Sequence, residues 1–223
     1  GSKQTLLPFL KEVMVTDEED KIFYDLFCGT TVVSNFIARE TNWKLNLSDF
    51  SLYSKILSSL ISFKQEDVHI NILRYLDTLS EESVFFNEFG IGGTPSTCDK
   101  SLFENQTIKS RMFFRGDVAK KIDGIRNGIK NLNCSEEEKN YYLLFLLHYI
   151  DKYANTSAVY GAYLKYDKFP DKNVDFVSKE LIEAFKRKRK NIVFRQGDMF
   201  ETLRSIPYDS RNIFYLDPPY NTR

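Results

Sequence analysis

Ile22-Phe23-Tyr24-Asp25-Leu26-Phe27-Cys28-Gly29-Thr30-Thr31 is the stretch that decides the fold. Ile22 to Phe27 is an apolar run holding one carboxylate, the composition of a buried strand. Cys28-Gly29-Thr30-Thr31 interrupts it with a turn glycine and helix-capping residues, and Val32 to Glu40 then carries Val33, Phe36 and Ile37 on one face at helical spacing. Trp43 to Leu47 reads as a second short strand ending at Ser48-Asp49, and residues 51–63 as a helix with Leu52, Ile56, Leu60 and Phe63 along a stripe. Strand, glycine turn, helix and strand make a βαβ unit, and its first turn is where small cofactors bind in such folds.

Asp49 follows Gly29 at the spacing, about 20 residues, at which an acidic side chain meets ribose hydroxyls in dinucleotide sites. A carboxylate there can accept two hydrogen bonds from a diol. The same residues also fit a plain turn glycine and a cap for the helix at Ser51.

Further along, Gly90 to Ser96 is a breaker-rich loop, and residues 118–129 and 135–153 read as helices. Ser135 with Glu138 forms a capping-box pattern ahead of the apolar run from Tyr141 to Ile150. Residues 64–166 are expected to be a mostly helical insertion between two parts of one α/β domain, 1–63 and 167–223. In the second part, residues 177–190 read as a helix ending in Lys186-Arg187-Lys188-Arg189-Lys190, whose basic run suits the negative end of a helix dipole. Residues 191–195 read as a third strand, followed by Gln196-Gly197-Asp198-Met199-Phe200.

The apolar run Ile213-Phe214-Tyr215-Leu216 leads directly into Asp217-Pro218-Pro219-Tyr220. An exocyclic amine on a heterocyclic base is a poor nucleophile because its lone pair is delocalised into the ring. Two acceptors at its hydrogens, the Asp217 carboxylate and the Pro218 carbonyl on a chain stiffened by Pro219, can draw it toward a tetrahedral nitrogen. Tyr220 can stack on an extruded base, worth about 1–3 kcal/mol. The bland alternative is a strand ending in a Pro-Pro turn. Gly29, Asp49, Asp198 and Asp217 all fall at the carboxyl ends of predicted strands, which share one ligand-binding edge in an open parallel sheet.

Composition bounds the setting. With 31 Lys+Arg against 31 Asp+Glu the chain has no global basic field, so a nucleic-acid partner requires basic residues gathered on one face. Cys28, Cys98 and Cys134 make no CxxC pair, which argues against a zinc site or disulfide framework and for a reducing, cytoplasmic location. No apolar stretch approaches the roughly 20 residues of a membrane span. His69 and His148 are isolated, the usual mark of structural histidines. No metal site is expected.

Taken together, these segments resemble the Dam-like adenine-N6 DNA methyltransferases. Asp25-Leu26-Phe27-Cys28-Gly29-Thr30-Thr31 looks like their S-adenosylmethionine loop, with Thr31 where the family usually has a second glycine. Asp217-Pro218-Pro219-Tyr220 matches their catalytic tetrapeptide. Gly197-Asp198-Met199-Phe200 resembles the segment that bonds the cofactor's adenine, and Ser2-Lys3 with Leu6-Leu7-Pro8 resembles the N-terminal motif at its methionine moiety. The middle is similar to one branch of the family at Arg111-Met112-Phe113-Phe114, Lys121-Ile122-Asp123, residues 151–156 and residues 159–162.

The resemblance implies an α/β Rossmann-like methyltransferase sheet with helices on both faces, a helical target-recognition insertion, and C-terminal strands of the full fold missing after the catalytic motif. It implies transfer of a methyl group from S-adenosylmethionine to the N6 of an adenine flipped from double-stranded DNA, in a restriction-modification setting. Asp217, Pro218, Pro219 and Tyr220 would be catalytic; Lys3, Asp25, Phe27, Gly29, Asp49, Asp198 and Met199 would bind cofactor. Cys28 would not act as a nucleophile. Arg111, Arg115, Lys120 and Lys121 are candidates for phosphate contact. Two alternatives stand beside it: a non-catalytic recognition or partner subunit that needs a completing polypeptide or C-terminal segment, and a methyltransferase acting on cytosine N4, RNA or glutamine.

Overall fold

The computed structural model describes residues 3–62, 69–96, 111–156, 163–164, 175–185 and 192–218. After a 3-10 turn at Lys3–Leu6, its elements run α1 (Leu7–Met14), β1 (Ile22–Asp25), α2 (Val32–Glu40), β2 (Lys44–Asp49), α3 (Leu52–Ser62), α4 (Ile70–Asp77), α5 (Val84–Phe89), α6 (Gly116–Asn131), α7 (Glu136–Tyr153), α8 (Lys179–Phe185), β3 (Ile192–Gln196), α9 (Met199–Arg204) and β4 (Asn212–Tyr215). The expected basic run at 186–190 lies outside the described residues.

The chain divides into two compact units, Gly1–Asp67 with Ile182–Arg223, and Val68–Leu181. The return to the first unit comes later than residue 167, because residues 175–181 still pack on the second. Phe176 is fully buried, its ring 6.3 Å from Phe145 and 6.1 Å from Tyr149, and the Ser178 hydroxyl lies 3.2 Å from His148 Nε2.

The first unit is built on a four-stranded parallel sheet in the order β3-β2-β1-β4, flanked by helices. The chain steps outward from β1 to β2 to β3, then returns to place β4 on the other side of β1. Strand order therefore reverses at β1, which creates a crevice at the carboxyl ends of β1 and β4. In β1 the successive residues Phe23, Tyr24 and Asp25 are all buried, so both faces of the sheet are covered there. Cross-strand aromatic pairs fix the β1–β4 register on the two faces: Phe23 stacks on Tyr215 and Tyr24 on Phe214, at 6.4 and 5.1 Å. The core beneath joins Phe23, Phe36, Ile37, Trp43, Leu45 and Leu47, with α1 packing Leu7, Leu10 and Met14 against it.

Helix α3 buries only part of the expected stripe. Ile56 is buried and Leu60 half-buried, but Leu52 is exposed and Phe63 lies outside the described residues, while Ser54, Ser58, Ser59 and Ile61 are buried as well. Small serines allow close packing against the sheet, and Ser58 satisfies its hydroxyl on the Lys55 carbonyl at 2.7 Å.

In the second unit α6 packs against α4, α5 and α7. Helix α7 begins with the expected capping box: Ser135 Oγ accepts the Glu138 N–H at 3.2 Å and Glu138 Oε2 accepts the Ser135 N–H at 2.8 Å. Asp123, buried in α6, accepts the backbone N–H groups of Ser83, Phe85 and Phe86 at 3.1, 3.1 and 2.7 Å. It thereby caps α5 from a distant element, a role invisible to local pattern. Helices α4 and α5 fall within the stretch expected to be mostly helical, though no local pattern marks their bounds.

Candidate active site

The carboxyl ends of all four strands line one cavity of about 510 Å³. From β1 and its turn come Asp25, Phe27 and Gly29, from β2 Asp49 and Phe50, from β3 Asp198 and Met199, from β4 Tyr215 and Asp217, and from the 3-10 turn Lys3. Of the residues expected to bind cofactor, Lys3, Asp25, Phe27, Gly29, Asp49, Asp198 and Met199 all lie on its wall. Of the tetrapeptide expected to be catalytic, Asp217 lines it, Pro218 is exposed, and Pro219 and Tyr220 lie outside the described residues.

Hydrogen bonds hold the turn after β1. Gly29 adopts φ +47°, and its N–H donates to Asp49 Oδ2 at 2.8 Å, while the Ser51 N–H donates to Asp49 Oδ1 at 2.9 Å. Asp49 thus joins the glycine turn to the start of α3, serving the turn and the cap while facing the cavity. Thr31, buried at the N-cap of α2, also takes a left-handed conformation, φ 58°, which is strained for a β-branched residue.

Asp25 is 1% exposed and takes the Ser34 hydroxyl on Oδ2 at 2.5 Å, while its Oδ1 is buried without a hydrogen-bond partner among the described residues. Burial pushes its carboxyl up to about 7, with the Asp49 and Asp217 carboxylates adding to the shift and Ser34 and the Phe27 N–H opposing it. Asp198 caps α9, its Oδ1 accepting the N–H groups of Phe200 and Glu201 at 2.8 and 3.3 Å. The Lys3 ammonium reaches across the cavity wall to both oxygens of Asp217, at 3.0 Å to Oδ1 and 2.9 Å to Oδ2. The Cys28 thiol is buried, and that burial, with Asp25 and Asp49 near, pushes its pKa well above the usual thiol range. Such burial disfavours the thiolate form.

Pattern reading missed Ser34, which holds Asp25, and Phe50, a 75% exposed aromatic on the cavity wall. Neither carries a local sequence signal, since the exposure of Phe50 shows only in the folded sheet. In the second unit the four phosphate candidates all contact carboxylates: Arg111 with Glu88, Arg115 with Asp117, Lys120 with Glu82 and Lys121 with Asp77. His148 lies against Ser178, and burial lowers its pKa, with the Lys152 charge adding to the effect. Among the described residues no cluster of three or more His, Cys, Asp or Glu could hold a metal, and no helix is long and apolar enough to cross a membrane.

An open parallel sheet with acidic and aromatic residues gathered at its switch point is the architecture of the doubly wound α/β proteins, whose ligand crevice lies at the carboxyl edge. Within that class, the chain belongs to the family of D12 class N6 adenine-specific DNA methyltransferases, which it matches over residues 1–223. It is 30% identical over 233 residues to the type II methyltransferase M.CviAII of Paramecium bursaria Chlorella virus 1, covering 100% of this chain and 64% of that protein. With M.NlaIII of Neisseria lactamica the identity is 31% over 212 residues, 92% of this chain and 57% of the relative. With the modification methylase StsI of Streptococcus sanguinis it is 28% over 246 residues, 100% of this chain and 33% of the relative. The chain therefore spans less than two thirds of the length of these curated relatives.

Proposed function

We propose that this chain carries the cofactor site and catalytic motif of a DNA methyltransferase that moves a methyl group from S-adenosylmethionine to adenine N6, in a restriction-modification setting. The observation that carries the proposal is the meeting of Asp217 with Lys3, Asp25, Asp49 and Asp198 in one cavity. Those residues suit the donor's chemistry. Phe27 and Phe50 offer apolar walls for a nucleoside, Asp49 and Asp198 offer acceptors for hydroxyls and an amino group, and Lys3 offers a cation for a carboxylate. The unpartnered Oδ1 of Asp25 is a buried acceptor for a ligand donor. A cavity of this size falls within the usual range for small-molecule sites, about 300–1,000 Å³.

When bound, the cofactor supplies an activated sulfonium methyl. The protein's part is positional. Asp217 accepts a hydrogen bond from the target amine and polarises it, and the Pro218 carbonyl is the candidate second acceptor. The second unit is the candidate for reading the DNA target, with base extrusion delivering the amine.

The test is methylation of duplex DNA with radiolabelled S-adenosylmethionine, with the product base identified by mass spectrometry. N6-methyladenine is expected, with Asp217→Ala lowering its formation by about 100-fold or more while cofactor binding persists. Methylated cytosine, RNA or protein would overturn the substrate assignment. Cofactor binding with no turnover would instead favour a chain completed by a further polypeptide.

A further inference from the structure

The Lys3–Asp217 pair has a chemical consequence for the order in which the cavity fills. Both Asp217 oxygens lie within 3.0 Å of one ammonium, so the carboxylate that must accept hydrogens from the target amine is already held by a charged donor. The two residues are 214 positions apart, and their side chains are 25% and 22% exposed. They come from different elements on one cavity wall, shielded enough to attract strongly and open enough to separate. Lys3 is a cation on the same cavity wall as Asp25, Asp49, Asp198 and Asp217. A ligand entering with its own carboxylate competes for that cation.

We propose that Lys3 is a latch on Asp217: without cofactor it holds the carboxylate, and it moves to the carboxylate of the bound methyl donor, leaving Asp217 to accept the target amine. The proposal rests on the methyl-transfer reading above and adds to it an ordering device, with Lys3 as a positioning residue. It couples the two halves of the site without any backbone rearrangement. The energy that separates the pair comes from replacing one carboxylate partner of Lys3 with another, so the exchange is close to balanced in charge.

Calorimetry with S-adenosylhomocysteine, which carries the carboxylate, and 5′-methylthioadenosine, which lacks the amino-acid end, tests the latch. Releasing Lys3 by Asp217→Asn is expected to tighten S-adenosylhomocysteine binding by roughly three- to tenfold, the scale of a part-exposed ion pair. The gain should vanish in a Lys3→Met background and persist in Lys3→Arg. Binding of 5′-methylthioadenosine should be unmoved by Asp217→Asn. An equal gain with and without Lys3 would show simple charge removal and overturn the latch, as would no gain at all. Thermal melting of each variant verifies that it is folded before its affinity is compared. Failure of the unaltered chain to bind S-adenosylhomocysteine would overturn the cofactor reading and the latch together, an outcome distinct from binding with the wrong dependence on Lys3.

Discussion

Asp25 at the end of β1 and Thr31 at the start of α2 carry energetic signatures that can be measured. Asp25 is favoured in its protonated form by the fold, with its pKa pushed from 3.8 up to about 7. As pH rises between those values the unfolded chain loses its proton first, so stability falls across that window and levels off above it. Asp25→Asn, which cannot ionise, is expected to gain on the native chain by about 2 kcal/mol between pH 5 and pH 8, read from urea unfolding at the two values. An unchanged difference would place the titration elsewhere. Thr31 tests backbone strain. Thr31→Ala and Thr31→Gly both remove the hydroxyl and methyl, but only glycine is at ease at φ 58°. The glycine variant is expected to be the more stable of the two by about 1 kcal/mol, the positive φ adding to the ordinary preference for glycine over alanine at an N-cap.

At the level of elements, close approach and remote capping decide the second unit. A Cβ added at Gly124 of α6 would lie 2.5 Å from the Ser80 nitrogen and 2.6 Å from the Leu79 carbonyl carbon, and backbone cannot yield as a side chain tip can. Gly124→Ala is expected to destabilise by about 1–3 kcal/mol in chemical denaturation despite its better helix propensity. Asp123→Ala would strip three N–H groups of their acceptor and is expected to cost about 3 kcal/mol or more. These elements also mark where sequence was readable. The strands β1, β2, β3 and β4 were legible because an apolar run ending in a glycine or carboxylate has few alternatives, and the capping box of α7 because both partners sit within one turn. The α5 cap from Asp123 and the ion pairs of Arg111 and Lys121 were not, because each polar residue is satisfied by a partner far away in the chain. The buried serines of α3 were not either, because Ser58 and Ser59 turn their hydroxyls back onto the Lys55 carbonyl of their own helix and so pass as small core residues. The candidate cavity was readable in its carboxylates, which punctuate strand ends, and unreadable in Ser34 and Phe50, whose roles exist only once the sheet is assembled.

For the whole molecule, the cavity draws on segments spread from Lys3 to Asp217, all within the first unit. Hydrogen exchange with and without S-adenosylhomocysteine is expected to show new protection near residues 25–34, 47–53 and 196–201, with residues 116–153 little changed. Protection confined to one of those stretches would contradict a shared site. The interruption of the sheet also bears on biosynthesis. Strand β2 ends at Asp49 and its partner β3 begins only at Ile192, with β4 following at Asn212. At translation speeds of roughly 5–20 residues per second, the nascent β1–β2 pair waits on the order of 10 s for its outer neighbours. During that interval the second unit can fold as it leaves the ribosome, while the β1–β2 pair remains open at both edges. A chaperone that shields residues 22–49 would therefore find its client in the half-made polypeptide.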